Sequence, residues 1–191
     1  DRVFEDIPTA KITTDDYNAA YKATKHLIEQ GCKKIACLAI PETLLISRKR
    51  VQGYMDALED HGLAVDDDLV AHFENSDEEI NLKIIDHLIR DKKPDGVFSC
   101  IEKLALQTYQ TCKNQNLIIP DDVKIISFSS LKIAPLLQPA LSTVTQPAFE
   151  LGKSAATILF NALQENKSDL ADDHIEMESK IVIRESSIKT N

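Results

Sequence analysis

Two adjacent hydroxyls, Ser129 and Ser130, occupy the position in this chain best suited to chemistry. They follow Val123 to Phe128, which reads as a β-strand. With Leu131 they open a loop that leads to a second strand, a Gln146-Pro147 crossing and a new helix. In parallel α/β sheets ligands bind beyond the C-terminal ends of strands. Ser129, Ser130 and Leu131 are therefore a candidate ligand-facing loop, and the chain is expected to leave one domain for another at Thr145, Gln146 and Pro147. Phe73 ends another strand-like run, where it can line a cleft or fill the core. The chemistry on offer is binding rather than catalysis. No Ser-His-Asp order, G-x-S-x-G or Walker motif is present, so no catalytic residue is assigned. His26, His61, His72, His87 and His174 are scattered, with no pair at metal-binding spacing beside a carboxylate. Neither a metal nor a cofactor is expected.

Composition narrows the classes further. A chain of 191 residues suits one large or two small domains. At 43% hydrophobic and 28% charged it has the makings of an ordinary globular core. Five glycines and no tryptophan argue against a glycine-rich nucleotide site and an aromatic-lined sugar groove. No apolar run approaches the roughly 20 residues of a membrane helix, so no membrane partner is expected. Acids outnumber Lys and Arg by 31 to 22. That balance disfavours direct nucleic-acid binding, because phosphate contacts need clustered cations. Cys32, Cys37, Cys100 and Cys112 form no C-x-x-C pattern and read as free thiols of a reducing, cytoplasmic compartment. Asp66-Asp67-Asp68 and Asp172-Asp173 read as solvated turn charges.

Strand and helix patterns alternate along the chain. A short strand at Ala10 to Thr13 precedes a helix capped by Asp15 or Asp16, with Tyr17, Ala20, Tyr21, Thr24, Leu27 and Ile28 on its apolar face. Gly31 ends it. Lys34 to Ile40 is a continuous apolar strand, as expected where both sheet faces are covered. A helix bearing Val51, Tyr54 and Leu58 follows, then a strand at Leu69 to Phe73. Ser76-Asp77-Glu78-Glu79 is a capping-box pattern for a helix that buries Ile80, Ile84 and Leu88. A strand at Asp95 to Ser99, a helix with Ala105, Tyr109 and Cys112 inward, and Val123 to Phe128 complete the run. Pro147 begins a long helix with Leu151, Ala155, Ile158, Leu159 and Ala162 inward, and Ile175 to Met177 and Ile181 to Ile183 are short final strands. This alternation predicts an α/β fold with a doubly wound, mainly parallel sheet. Residues 34 to 143 make a five-stranded domain. The first 30 residues and the helix from Pro147 look like part of a second lobe, the rest of which is expected to precede Asp1.

Several segments resemble the LacI/GalR family of bacterial transcription repressors: Ala19 to Ala39 (AAYKATKHLIEQGCKKIACLA), Arg50 to Leu58 (RVQGYMDAL), Lys92 to Ser99 (KKPDGVFS), Ile119 to Phe128 (IPDDVKIISF), Pro139 to Gly152 (PALSTVTQPAFELG) and Ile181 to Ser187 (IVIRESS). The resemblance covers nearly the whole chain and rests on the order and spacing of these motifs. It implies a core of periplasmic-binding-protein type I, with residues 1–30 and 147–170 in a partial N-terminal lobe and 31–146 and 171–191 in a C-terminal lobe. Three crossing segments would lie near Gly31, Gln146 and Asp172 to Glu176. The family's helix-turn-helix domain is absent from this chain.

The resemblance also implies site residues. Arg50 matches the effector-binding arginine that opens the R-x-x-G-[FY] helix, and a guanidinium fork suits a carboxylate, a phosphate or vicinal hydroxyls. Its alternative is a surface helix arginine. Where many relatives carry Asn-Asp this chain has Ile101-Glu102, and where many carry an acid it has Ser129. Both changes remove groups that would fork onto sugar hydroxyls, so a poor site for simple neutral sugars is expected. Glu102 also suits a helix N-terminus, where the dipole favours an acid. Leu104, Leu106, Leu136 and Leu137 match the family's subunit contact, or else close the core beneath a loop. The expected protein is the small-molecule-responsive, homodimeric core of a regulator that reaches operator DNA through another domain, with a sugar-related effector. The competing reading is an extracytoplasmic sugar-binding protein of a transporter.

Overall fold

A computed structural model describes residues 3, 6–74, 77–166, 170 and 174–188. The Ser76 end of the expected capping box and the Asp172-Asp173 pair lie outside them. The main body is built on six strands: β2 (Ile35–Ala39), β3 (Val70–His72), β4 (Gly96–Ser99), β5 (Lys124–Phe128), β6 (Ser142–Thr145) and β8 (Lys180–Val182). They lie in the order β3-β2-β4-β5-β6-β8. All neighbours are parallel except β8, which runs antiparallel to β6. The chain thus starts inside the sheet at β2, adds β3 on one side, and adds the rest on the other. β2 and β4 flank the point where the winding reverses, which is where open α/β sheets hold ligands.

Side chains alternate across a strand, and here the alternation feeds two cores. Ile35, Cys37, Ala39, Phe98, Cys100, Ile126 and Phe128 pack under helices α1 (Asp16–Glu29) and α2 (Leu45–Asp60). Ala36, Leu38, Val97 and Ile125 pack under α3 (Glu78–Lys92) and α4 (Glu102–Asn114). The cysteines are all buried and free. Burial pushes the Cys32 thiol up to about 12 and the Cys112 thiol to about 11, so they behave as small hydrophobes rather than nucleophiles.

Helices α1 and α2 cross at close range because of Gly53. A Cβ there would collide with the backbone oxygen of Tyr17 and come within 3.0 Å of the Tyr21 nitrogen. The same tyrosines fix the register, Tyr17 donating to Asp56 at 2.6 Å and Tyr21 to Asp60 at 2.9 Å.

A second, two-stranded sheet pairs β1 (Lys11–Thr14) in parallel with β7 (His174–Met177), and α5 (Ala148–Glu165) lies against β1. The chain passes between the two sheets at Thr14–Asp15, Gln146–Pro147 and Glu178–Ser179. These crossings are tied together. Asp15 N–H donates to the Met177 carbonyl at 3.0 Å, Ser179 N–H to the Asp15 carboxylate at 2.7 Å, and Gln146 Nε2 to Thr14 Oγ1 at 2.7 Å.

Several expectations need correction. Helix α1 does not belong to the partial lobe, because Ala19, Ala20, Ala23 and Leu27 are buried on the six-stranded sheet. The first crossing is accordingly at residue 14–15 and not at Gly31, and the third lies at Glu178–Ser179, just beyond the expected Asp172 to Glu176 region. Asp15 begins α1 but its side chain makes no cap hydrogen bond, having been taken by Ser179. In α3 the buried residues are Asn81, Ile85, Leu88 and Ile89, whereas Ile80 and Ile84 face outward. In α5 only Ala162 is buried, and Phe149 is 78% exposed. The apolar face of an amphipathic helix is normally covered. The cover for α5 is not supplied by the described residues.

The C-terminal Ser186-Ser187 pair works inside the fold. Ser186 Oγ donates to the Ile125 carbonyl at 2.7 Å and accepts from Ser142 N–H at 2.8 Å. Ser187 Oγ donates to Ser142 Oγ at 2.6 Å and pairs with His26 Nε2 at 2.8 Å. Two predictions follow from this packing. Gly53→Ala should lower stability by about 1–3 kcal/mol, the usual cost of overpacking, measured by urea unfolding. Burial lowers the His26 pKa below its ordinary 6.5, so the unfolded chain binds this proton more readily. The neutral imidazole's contribution is complete above pH 6.5 and lost as pH falls through the lowered value. His26→Gln should flatten that acid-side decline of the melting temperature while leaving the neutral-to-alkaline side unchanged.

Candidate ligand-binding site

A cavity of about 290 Å³ opens over the C-terminal ends of β2, β4, β5 and β6. Ile40, Ile46, Cys100, Ile101 and Phe128 give it apolar walls, and Arg50, Glu102, Ser129, Ser130 and Gln146 supply polar groups. Apart from Arg50, each lining residue stands at a strand end or at the start of the following element, so the doubly wound sheet positions them.

Arg50 lies in the second turn of α2 and is only 3% exposed. The reading of it as a surface arginine is therefore wrong. Its Nε and Nη2 both donate to Asp16 Oδ1, at 2.8 and 2.7 Å, and Nη1 donates to the Cys100 carbonyl. The guanidinium carbon lies 3.6 Å from the centroid of the Phe128 ring, a stacked cation–π contact. Asp16 Oδ2 accepts from Thr14 Oγ1 at 3.2 Å, and Thr14 in turn accepts from Gln146. A continuous hydrogen-bonded chain thus joins the cavity to two crossings. Burial raises the Asp16 pKa, and the adjacent guanidinium pulls against it.

Glu102 is the first residue of α4 and reaches sideways across the sheet. Its Oε2 accepts from Ser129 Oγ at 3.0 Å and from Ser130 N–H at 3.3 Å. Ser129 Oγ also receives Leu131 N–H at 3.1 Å, so one carboxylate oxygen organises the loop. The structure thereby changes one expectation: the acid absent from position 129 is supplied from position 102, and the site does not lack a carboxylate.

Of the other candidates, Ile101 lines the cavity. Phe73 does not: it is buried in the opposite core with Leu38, Leu69 and Ile85, on the face covered by α3 and α4. Among the proposed interface leucines, Leu104 is 1% exposed and belongs to that same core, because it sits on the α4 face that packs onto the sheet. Leu106 is half-buried and Leu137 packs partly against the core. Leu136 is 77% exposed on a short 3-10 turn beside exposed Ile133. Sequence reasoning missed Asp16 as a site residue. Its carboxylate was visible as a helix-start acid, and nothing local distinguishes that role from an ion pair with a residue 34 positions away. Among the described residues no group of His, Cys, Asp and Glu could hold a metal ion.

Residues 24–187 match the family of periplasmic binding protein-like domains. The chain is 33% identical over 159 residues to the HTH-type transcriptional repressor CytR of Escherichia coli strain K12, covering 83% of the chain and 46% of that protein. It is 29% identical to the ribose operon repressor of Haemophilus influenzae, over 96% of the chain and 54% of the relative. The chain therefore spans about half the length of the curated relatives it matches. Among solved structures, a regulatory protein of the LacI family from Chloroflexus aggregans superposes with a TM-score of 0.86 at 26% identity, over 98% of this chain and 66% of that one. A LacI family transcriptional regulator from Enterococcus faecium with bound ribose has a TM-score of 0.85 at 23% identity, over 100% of this chain and 70% of that one, and shows the shared fold.

The ion pair makes a sharp energetic prediction. Removing one partner of a buried pair strands the other's charge, at a cost of about 3–5 kcal/mol, whereas replacing both by apolar groups is far milder. Asp16→Ala should therefore destabilise the chain more than the double variant Asp16→Ala with Arg50→Met, as read from urea midpoints. Additive losses would show that the two side chains do not depend on each other.

Proposed function

The chain belongs to the periplasmic binding protein-like domain family, in its LacI/GalR regulator form, and we propose that it is the effector-binding and dimerisation core of a DNA-binding transcriptional regulator. The observation that carries this reading is the cavity at the strand ends, whose buried arginine is bonded through Asp16 and Thr14 to the crossings between two sheets. A small molecule, of sugar-related chemistry, occupies that cavity. By binding one arrangement of the lobes better than another it shifts the population toward it. The differential affinity, and nothing else, sets how far DNA binding changes. Residues 6–14, 147–166, 170 and 174–177 contribute to the smaller lobe, and 15–74, 77–146 and 178–188 to the larger one. Operator DNA is reached through a domain outside these residues, a view supported by the HTH-type label of the relatives and by the acidic balance of this part.

The relatives are named as repressors, which favours regulation over transport and over enzymatic activity. No helix among the described residues is long and apolar enough to cross a membrane. We place the protein in the cytoplasm, on the support of its four buried, unpaired thiols.

The homodimer contact is assigned to the surface that includes Leu136 and Ile133. An exposed leucine beside an exposed isoleucine is the kind of apolar surface that marks an interface, and two-fold association is its usual use. Sedimentation of the chain should show a dimer, and Leu136→Glu should convert it to a folded monomer. A folded dimer in the variant would move the contact elsewhere. The effector assignment is tested by calorimetry with ligands drawn from a screen of saccharides and their derivatives. A charged hydrogen bond is worth roughly 1.5–3 kcal/mol, so Arg50→Met should weaken the bound ligand at least about tenfold. Unchanged affinity would remove Arg50 from the site.

A further inference from the structure

The cavity holds two full charges of opposite sign, but they are not equivalent. Arg50 is largely committed to protein groups: three of its five N–H donors go to Asp16 and the Cys100 carbonyl, its face is stacked on Phe128, and two N–H groups are left for a ligand. Its positive charge is matched by Asp16 at 2.7 Å, and Asp16 is itself buried. Seen from the cavity, this pair is close to neutral. Glu102 has no such partner. Its Oε2 accepts two hydrogen bonds from neutral donors, Ser129 Oγ and Ser130 N–H. Among the described residues no Lys, Arg or His forms an ion pair with it; the neighbouring Lys103 pairs with Glu78. Its second oxygen, Oε1, accepts from no described residue.

The N-terminus of α4 lies at the same carboxylate and offsets part of its charge. That offset is bounded: a helix N-terminus is equivalent to roughly half an elementary charge. The balance of the site remains negative. The other open polar groups do not reverse it, because Gln146 and Ser130 are neutral.

The geometry points to Glu102 as the residue that selects the effector by charge. It accepts ligands that bring an ammonium, amine or hydroxyl donor to Oε1 and rejects those that carry a phosphate or carboxylate. This inference rests on the reading of the cavity as an effector site, and it narrows the three ligand classes that a guanidinium alone would accommodate. An anion placed here would sit beside an unneutralised carboxylate in a partly enclosed space, where like charges repel more than in water. An amino or hydroxyl group would instead find an acceptor already fixed in direction by Ser129 and Ser130. Sites built around an oriented acid discriminate strongly against ligands lacking its partner.

The test uses weak, simple probes, because selection by charge needs no knowledge of the natural effector. The ¹⁵N-labelled full chain is titrated with glucosamine, glucose and glucose 6-phosphate at constant ionic strength, and the amide shifts of Ile40, Ile101, Ser129 and Ser130 are followed. The same titrations are run on Glu102→Gln, which removes the charge but keeps an oxygen for Ser129. The expected result has glucosamine or glucose moving these amides in the native chain and the phosphate ester leaving them in place. In Glu102→Gln the preference for glucosamine over the phosphate should fall at least about tenfold. Equal or tighter binding of glucose 6-phosphate at these amides in the native chain overturns the inference but keeps the cavity as a ligand site. So does an unchanged preference in the variant. If no probe moves these amides in either protein, the cavity reading itself falls, and the inference falls with it.

Discussion

The guanidinium of Arg50 is the constraint around which the rest of this structure is arranged. A cation this deeply buried is tolerated only with an anion beside it and its N–H groups satisfied. Asp16 provides the anion, the Cys100 carbonyl an acceptor, and Phe128 an electron-rich face. Those partners come from α1, the end of β4 and the end of β5. Satisfying one side chain therefore requires helix α1 to lie on α2 and two strand ends to converge. Gly53, one turn further along α2, permits the close helix crossing that brings Asp16 within reach.

The same interaction reaches the crossings between the two sheets. Asp16 begins α1 immediately after the chain has crossed from the small sheet, and its neighbour Asp15 holds the third crossing through Ser179. Thr14 receives Gln146 from the second crossing. All three connections between the sheets are thus bonded within two residues of the group that holds Arg50. A ligand that changes the position or hydrogen bonding of Arg50 acts directly on the segments about which the lobes would move. Coupling of this kind needs a discrete rearrangement that both ends bias, and the crossings provide the element on which it acts.

Much of the fold was legible in the sequence because its signals are local and periodic. The buried runs at β2, β4 and β5, the helix-ending Gly31, and the alternation of elements identify a doubly wound sheet from periodicity alone. The failures share a cause. Asp15 and Asp16 look like helix caps because capping is the commonest local use of such residues, and only distant partners reveal their other use. Phe73 and Leu104 are apolar residues whose cavity, interface or core role depends on which sheet face they occupy. A shift of one position on α3 moved burial from Ile80 and Ile84 to Asn81 and Ile85. In α5 the apolar pattern was read as a buried face, whereas among the described residues only Ala162 of that helix is buried. Ser129 and Glu102 were each flagged, yet their hydrogen bond across 27 residues is a property of strand order rather than of either local sequence.

In the proposed regulator, ligand in the cavity is felt at the crossings through Arg50 and Asp16. Amide hydrogen exchange of the full chain, with and without a ligand that shifts the cavity amides, tests it most directly. Exchange should slow not only at Ile101 and Ser130 but also at Asp15 and Ser179, and that remote protection should be lost in Arg50→Met at matched occupancy. Protection confined to the cavity, or remote protection that survives Arg50→Met, would contradict it.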